Sequence, residues 1–166
     1  MLKVIKHPKY MDFTQIIHVY ARSIGAASEA YKDAISSYEK KRMAENEFYS
    51  FLVDWLCNCD EHILFIWERE DNYVSAVRVE PYKDGYLVCG LETRPDQSGK
   101  GYAKALLEHV VSYLGHEKPL YSHVDKKNAS SLAVHVHAGF TVISDTAAFV
   151  DGTVTNRAYT LCLNGK

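Results

Sequence analysis

The sequence predicts an α/β fold with a mixed, mostly antiparallel central sheet and helices on both of its faces. Residues 62–94 hold three consecutive segments rich in β-branched and aromatic residues, separated only by the short turns "DN" and "KDG". Helical patterns precede this block, and helix and strand patterns alternate after it. Since no linker of low complexity and no internal repeat divides the chain, we expect residues 1–166 to form a single domain.

The elements are predicted in the order β-α-α-β-β-β-α-β-α-β-β. The segment "LKVIKH" is the first strand, and "MDFTQIIHVYARS" follows as a helix with Phe13, Ile16, Ile17 and Tyr20 at helical spacing. Residues 29–57 contain neither Pro nor Gly and are rich in helix formers, which predicts one or two further helices. The segments "HILFIWERE", "NYVSAVRVEPY" and "GYLVCGLETR" then form an antiparallel meander.

The second half of the chain predicts a strand–helix–strand unit and a closing pair of strands. The segment "KGYAKALLEHVVSYL" is an amphipathic helix, and "KPLYSHVD" is the strand after it, so residues 86–125 should form a right-handed parallel crossover. The segment "NASSLAVHVHAGF" predicts a short helix with Asn128 at its N-cap and Gly139 just past its end. "TVISD" and "RAYTLCLN" complete the sheet.

The composition excludes several classes of function. With 19 basic and 21 acidic side chains the formal charge is −2, which gives no general attraction to nucleic acid or to an anionic membrane. Apolar runs are shorter than the roughly 20 residues that span a bilayer, and the first residues lack the apolar core of a signal peptide. We therefore expect a cytoplasmic protein without nucleic-acid or membrane partners.

Cysteines and histidines do not predict a metal site. Cys57, Cys59, Cys89 and Cys162 lack the spacing of a zinc site. His135 and His137 are two residues apart and would point in different directions on a helix. We expect reduced thiols and no bound metal.

The turn "RPDQSGKGYA" separates the third meander strand from the amphipathic helix. Amides at the start of a helix lack intrahelical partners and attract anions, and small residues would let a phosphate approach the backbone. The turn is not a P-loop, because its lysine precedes the second glycine and is followed by Gly101. It is not a dinucleotide fingerprint either, because Lys104 occupies the third glycine position. On spacing alone it is a phosphate site or merely a connection.

Two motifs together resemble the GNAT superfamily of acyl-coenzyme A-dependent N-acetyltransferases. The family motif Q/R-x-x-G-x-G/A at a strand-to-helix turn is similar to residues 98–103, and "LETRP" resembles the strand end before it. The family's later motif, an Asn, a small residue, a Tyr and a Gly-Phe pair, is similar to "NASSLAVHVHAGF". The motifs arrive in the family's order, about 30 residues apart, and the resemblance is weakest over the first 60 residues.

The resemblance implies acetyl-coenzyme A as cosubstrate and a set of residues that bind it. The pyrophosphate would lie on the turn, and the pantetheine arm would lie along the strand end. The implied binding residues are Leu91, Thr93, Ser98, Gly99, Lys100, Gly101, Tyr102, Ala103, Asn128 and Ser131. Ser98 stands where the family usually has Gln or Arg, although the neighbouring Gln97 could substitute for it.

Two residues are candidates for the chemistry of acyl transfer. Glu92 alternates with Leu91 and Thr93 on the strand, so it would face an acceptor cleft as general base, or it would bind a cationic acceptor. His135 occupies the position of the family tyrosine thought to protonate the leaving thiolate, so it is the candidate general acid or a residue that only packs. Tyr102, Tyr121 and Tyr159 are alternative acids.

The acceptor is expected to be a primary amine of a small molecule or a peptide N terminus. Tyr20, Tyr31, Tyr38, Tyr49 and Trp55, from the first helices, could line its pocket, although most of these aromatic residues would belong to the core. The alternatives are a non-catalytic acyl-coenzyme A-binding module and a protein-interaction domain that keeps only the fold. An exposed edge strand near the C terminus could also pair two subunits into a homodimer.

Overall fold

The computed structural model describes residues 1–33 and 36–164. Its helices are α1 (Phe13–Val19), α2 (Ala21–Ser28), α3 (Ser37–Asn58), α4 (Tyr102–Leu114) and α5 (Ala129–His137). Its strands are β1 (Leu2–Ile5), β2 (Ile63–Arg69), β3 (Asn72–Tyr82), β4 (Gly85–Thr93), β5 (Leu120–Asp125), β6 (Thr141–Ser144), β7 (Ala147–Ala148), β8 (Val154–Thr155) and β9 (Ala158–Leu163).

The main sheet is mixed and mostly antiparallel, which confirms the predicted fold class. Its described strands follow the order β1-β2-β3-β4-β5-β9-β6. β4 and β5 run parallel, as the predicted crossover requires, and the other neighbouring pairs in this sheet are antiparallel. The sheet order brings the end of β4 next to the start of α4 and the start of α5, where the sequence motifs lie.

The core lies on both faces of the sheet because the central strands alternate their side chains. On β2, Leu64 and Ile66 pack with α1, α2 and α3, whereas Ile63 and Phe65 pack with α4 on the opposite face. Apolar residues of α4, including Leu106 and its neighbours along one stripe, are fully buried against the second face. The prediction of helices on both faces is therefore confirmed.

The predicted first helix is divided in two at Tyr20. Tyr20 has φ −88° and ψ 19°, which ends α1 and starts α2 in a new direction. The Tyr20 ring is 2% exposed, and its hydroxyl donates to the carbonyl of Gly90 on β4 at 2.9 Å. This tertiary anchor on a distant strand is invisible to helical periodicity, and it directs α2 towards the end of β4.

The third helix begins later than the sequence predicts. Ser36 caps α3, accepting a hydrogen bond from the Glu39 amide while the Glu39 carboxylate accepts one from the Ser36 amide. Residues 29–33 precede the helix and form turns, and Ala34 and Ile35 of the predicted helical segment lie outside the described residues. The capping box therefore fixes the start of α3, because it gives hydrogen-bond partners to backbone amides that have none within the helix.

The end of β4 carries a bulge that prepares the functional region. Arg78 of β3 pairs with Cys89 and Ala76 pairs with Glu92, so β4 contains one extra residue between these two pairs. Gly90 lies in the bulge with φ +62°, a backbone conformation that favours glycine. On the other side, the pairing of β4 with β5 ends at Val88 and Ser122. The last residues of β4 are therefore free along one edge.

The C-terminal part differs from the prediction in one respect. β7 and β8 form an unpredicted hairpin around Asp151, whose side chain accepts a hydrogen bond from the Thr153 amide at 2.9 Å. Each strand has two residues, which is too short for a pattern of alternation to be read. β6 is an edge strand of the main sheet, and homodimerisation through it stays a prediction. Over the described residues we find no helix with the length and apolar character needed to cross a membrane.

Candidate active site

A cavity of about 660 Å³ lies beside the unpaired end of β4. The strand end, the turn before α4 and the first turns of α5 form most of its wall, and α2 closes the remaining side. The lining residues are Arg22, Ser23, Gly90, Leu91, Glu92, Thr93, Gln97, Ser98, Gly99, Gly101, Tyr102, Ala103, Lys104, Asn128, Ser130, Ser131 and Val134.

The wall at the start of α4 presents a row of free backbone donors. Among the residues that the structure describes, no acceptor is hydrogen-bonded to the amides from Gly99 to Lys104, and the Ala105 amide is the first to bond, to Gly101 at 3.0 Å. Such amides, at the positive end of a helix dipole, bind anions. The turn is therefore chemically suited to a phosphate group.

Two glycines give the turn its shape. Gly99 and Gly101 have φ +78° and φ +80°, and a Cβ added at either position would meet no other atom within 4 Å. Both glycines line the cavity, so the space beside them belongs to the site and not to the protein core. Glycine at both positions keeps the amides accessible.

The structure brings together ten of the twelve residues that the sequence singled out. Leu91, Glu92, Thr93, Ser98, Gly99, Gly101, Tyr102, Ala103, Asn128 and Ser131 all line the cavity. Lys100 does not, because its ammonium group turns back to donate to Gln97 at 2.9 Å and lines a separate polar cleft with Arg69 and Arg94. His135 is also outside the wall of the cavity.

Asn128 and Ser98 each have a structural partner. The Asn128 side chain accepts from the Ser131 amide at 3.0 Å, which confirms Asn128 as the N-cap of α5. The Ser98 hydroxyl accepts from the Arg22 guanidinium at 2.9 Å. Arg22 thus connects α2 to the turn and brings a positive charge to the cavity.

Glu92 lies between the strand end and α2, on the face opposite to Leu91. The Ser23 hydroxyl donates to one of its carboxylate oxygens, and the other oxygen, Oε2, is buried and has no hydrogen-bond partner among the described residues. Burial raises the pKa of Glu92 above its ordinary value, while the Ser23 hydrogen bond and the charges of Arg22 and Arg78 act in the opposite direction. A raised pKa makes this carboxylate a stronger base than an exposed one.

His135 is buried behind α5, with 2% of its surface exposed. Its Nε2 lies 2.9 Å from the Ser122 hydroxyl, and its Nδ1 lies 2.8 Å from the Ser131 carbonyl. Burial lowers the pKa of His135, only partly opposed by the Ser131 carbonyl, so the neutral ring is favoured. The ring packs edge-to-face on Phe140 and bridges α5 to β5.

The alternative acids are placed differently. The Tyr121 hydroxyl donates to Asp84 at 2.8 Å, at the opposite end of the β4–β5 pair, and this hydrogen bond raises the pKa of Tyr121 to about 12. Tyr159 pairs with Val124, and the Lys126 ammonium lies 5.2 Å from its ring centroid. Tyr102 lines the cavity, and its hydroxyl accepts from Arg69 at 2.9 Å.

The buried, neutral His135 predicts a loss of stability in acid. Its pKa is lowered in the folded protein, so the unfolded chain takes up a proton near its ordinary pKa of about 6.5 while the folded chain does not. The contribution of neutral His135 to the free energy of unfolding is therefore present above the ordinary pKa of histidine and is lost as the pH falls through that pKa. We expect the melting temperature to fall less between about pH 7.5 and about pH 5.5 in His135→Gln than in the wild type.

A neighbouring histidine gives the matched control for this measurement. His137 is exposed on the same helix, and His137→Gln should keep the wild-type dependence of melting temperature on pH. An identical acid slope in His135→Gln and in the wild type would show that protonation of His135 is not coupled to folding.

Arg22, Ser23 and Gly90 are site residues that sequence reasoning missed. A glycine within a strand pattern is a signal for a bulge, so Gly90 could have been found. Arg22 and Ser23 gave no comparable signal, because they reach the cavity only through the change of direction at Tyr20. Within the described residues there is no group of three or more side chains able to hold a metal ion.

Comparison with known proteins identifies the family. The model of the acetyltransferase (GNAT) family matches residues 27–140. No curated protein matches the sequence. Similar solved structures include the ribosomal-protein-S18-alanine N-acetyltransferase from Escherichia coli (18% identity, TM-score 0.63, 99% of this chain and 94% of that chain). The PaiA N-acetyltransferase from Thermoplasma acidophilum, solved in complex with coenzyme A, is 11% identical with a TM-score of 0.66 over 99% of both chains.

The N-acetyltransferase PseH from Campylobacter jejuni, solved in complex with acetyl-coenzyme A, is 15% identical with a TM-score of 0.57 over 100% of both chains. At these identities the solved structures establish the likeness of the fold, while the family model covers more than half of the chain. The chain therefore belongs to the acetyltransferase (GNAT) family.

Proposed function

We propose that this protein transfers an acetyl group from acetyl-coenzyme A to the primary amine of a small molecule or a peptide N terminus. The observation that carries the proposal is the shared cavity. Free amides from Gly99 to Lys104, suited to a phosphate, line the same space as the half-buried carboxylate of Glu92. A binding turn next to a basic group is what an acyl transfer to an amine requires.

The residues of the turn fit coenzyme A. The amides of Gly99, Gly101, Tyr102 and Ala103 would hold the pyrophosphate, with Ser98 and Arg22 at its side. The pantetheine arm would lie along Leu91 and Thr93 and across Asn128 and Ser131 at the start of α5. This assignment is supported by the accessibility of these residues from one cavity and by the free edge of β4.

In this proposal the backbone amide of Thr93 would stabilise the negative charge that develops on the thioester oxygen. The Arg94 amide donates to Val74 on β3 at 2.9 Å. Because successive amides along a strand point to opposite sides, the Thr93 amide points to the β5 side, where pairing has already ended. A donor aimed at the developing oxyanion lowers the barrier of acyl transfer.

Glu92 would take the proton that the amine must lose. When bound, acetyl-coenzyme A would supply the thioester that the neutral amine attacks, and a carbon–nitrogen bond forms as the carbon–sulfur bond breaks. The buried Oε2 of Glu92 has no partner in the described protein and can accept the ammonium proton, directly or through water. Its raised pKa reduces the mismatch with the amine.

The leaving thiolate needs less help than the amine. A thiol has a pKa of about 8.5, so its thiolate is a good leaving group that water can protonate near neutral pH. We therefore assign to His135 the structural bridge between α5 and β5 and no proton transfer. In the proposed coenzyme A site, Lys100 would contribute only its backbone, since its side chain faces the neighbouring polar cleft.

We also propose that residues 1–166 act as one catalytic unit. One sheet contains both β1 near the N terminus and β9 near the C terminus, and α2 and α5, from the two halves, line the same cavity.

Release of free thiol from acetyl-coenzyme A tests the function. We expect thiol and N-acetylated product to appear in equal amounts when the protein meets a panel of amino acids, amino sugars, polyamines and peptide N termini. Binding of coenzyme A without thiol release across the panel would favour the non-catalytic binding module. Absence of coenzyme A affinity in calorimetry would favour a protein that keeps only the fold.

A further inference from the structure

Arg78 places a guanidinium group next to the proposed catalytic carboxylate. It extends from β3 on the same face of the sheet as Ala76, towards α3. A Cβ added at Gly90 would lie 3.0 Å from its Nε and 3.1 Å from its Nη2, so the guanidinium rests directly on the bulge. Gly90 and Glu92 both line the proposed coenzyme A cavity. The guanidinium therefore lies next to Gly90, a residue of the cavity wall.

The guanidinium is held in place by two aromatic rings, it interacts with the Tyr20 hydroxyl, and its charge acts on the nearby Glu92 carboxylate. Its carbon lies 4.7 Å from the ring centroid of Phe51 and 5.5 Å from that of Trp55, in cation–π contact with both rings. Its Nε is buried and has no hydrogen-bond partner in residues 1–33 and 36–164, and no carboxylate of those residues forms an ion pair with it. The carboxylate of Glu80, on the same strand face, accepts a hydrogen bond from the Trp55 indole N–H at 2.7 Å.

The buried Nε of Arg78 and the buried Oε2 of Glu92, both without a hydrogen-bond partner among the described residues, thus flank the bulge. Buried polar groups are normally hydrogen-bonded, and a native structure that leaves them free has a reason. A single ligand with an ammonium group and a nearby carboxylate would satisfy both, with the ammonium at Glu92 and the carboxylate in the planar fork of Arg78.

A groove between α2 and α3 continues from this point. Its volume is about 340 Å³, and its lining is mostly apolar. The lining residues are Ser23, Ile24, Ala27, Ala44, Glu47, Phe48 and Phe51. Ser23, which donates to Glu92, also lines the coenzyme A cavity, and Phe51, which stacks on Arg78, lines this groove. The groove is therefore open to an apolar side chain carried by the same ligand.

We propose that the acceptor is a free amino acid with an apolar side chain. Its carboxylate binds Arg78, its amino group meets Glu92, and its side chain enters the groove between α2 and α3. This inference rests on the proposed acetyl transfer and names its substrate class. Other acceptor classes fit these charges less well. The second ammonium group of a polyamine would be repelled by Arg78, and a phosphate dianion would be repelled by Glu92. The amino-terminal residue of a peptide has no α-carboxylate to bind Arg78.

The experiment compares leucine with leucinamide, in which a neutral amide replaces the carboxylate and leaves a larger fraction of the amine neutral. With acetyl-coenzyme A, we expect kcat/KM for leucine to exceed that for leucinamide about 30-fold or more, because one charge-paired contact is lost in the amide. Arg78→Met should remove this preference by raising KM for leucine, with little change for leucinamide. Arg157→Met, a substitution of an exposed arginine after β8, should keep the preference.

A second measurement keeps the inference independent of turnover. Calorimetric titration of the coenzyme A-loaded protein should show binding of leucine, about 30-fold weaker binding of leucinamide, and loss of that difference in Arg78→Met. Equal use or equal binding of the two compounds by the wild type, or a preserved preference in Arg78→Met, would overturn the amino-acid assignment.

The two proposals fail in different ways. Thiol release with amines that lack a carboxylate, at rates equal to leucine, would leave acetyl transfer in place and overturn only the substrate class. Selective leucine binding without thiol release for any amine would support the amino-acid site and contradict the proposed transfer.

Discussion

Replacing Gly101 with valine is expected to raise the dissociation constant of acetyl-coenzyme A about 100-fold or more, because charge-assisted hydrogen bonds are worth roughly 1.5–3 kcal/mol each and at least two would be blocked. Gly101 has φ +80°, an added Cβ would meet no atom within 4 Å, and Gly101 lines the cavity that the pyrophosphate would occupy. Isothermal calorimetry with coenzyme A measures the loss directly.

Gly115 at the other end of α4 provides the matched control. It has φ +74°, and an added Cβ there also meets no atom within 4 Å, but Gly115 does not line the cavity. Gly115→Val should strain the backbone at least as much, because φ +74° with ψ −168° is a conformation that is essentially restricted to glycine, and should lower the melting temperature without weakening coenzyme A binding. Equal affinity of Gly101→Val and the wild type would remove the turn from the binding site.

Glu92→Gln is expected to lower kcat/KM for acetyl transfer about 100-fold or more, which is the usual effect of losing a positioned general base. Coenzyme A affinity should change little, because the amide keeps the shape of the side chain. In the wild type the rate should fall as the pH drops through the raised pKa of Glu92, since the protonated carboxyl cannot accept a proton. Steady-state kinetics against pH measures both effects.

Stability separates this loss from simple damage to the fold. Burial raises the pKa of Glu92, so the ionised carboxylate destabilises the folded state above the ordinary pKa, and Glu92→Gln should melt at a higher temperature than the wild type at neutral pH. Glu61→Gln, at an exposed position before β2, should change neither rate nor melting temperature. Wild-type turnover in Glu92→Gln would show that another group takes the proton.

Local patterns predicted the elements because their causes are local. Two-residue alternation and tight turns fixed the β2–β3–β4 meander, and the capping preference of Asn128 fixed the start of α5. The helix break at Tyr20 was not predictable from periodicity, since it depends on a hydrogen bond to Gly90, seventy residues away. Contacts across such distances leave no trace in a window of ten to twenty residues.

The same distinction between local and tertiary causes applies to the candidate site. Glycine spacing and the adjacent helix predicted a turn with free backbone amides, because free amides at a helix start follow from backbone geometry alone. The role of His135 depended on burial: in sequence it occupies the tyrosine position of a family motif, but in the fold it bridges Ser131 and Ser122 behind α5. Burial of a helix face is decided by what packs against it.

The sequence by itself determined the fold class, the order of the main elements, the resemblance to the family and ten residues of the cavity. These properties follow from period, turn chemistry and motif spacing, each encoded within one short segment. Only the tertiary structure decided that Arg22 and Ser23 complete the cavity and that the Arg78 guanidinium rests on the bulge at Gly90. Those relations join α2, β3 and β4, and the charge and burial of a side chain depend on neighbours that only folding brings together.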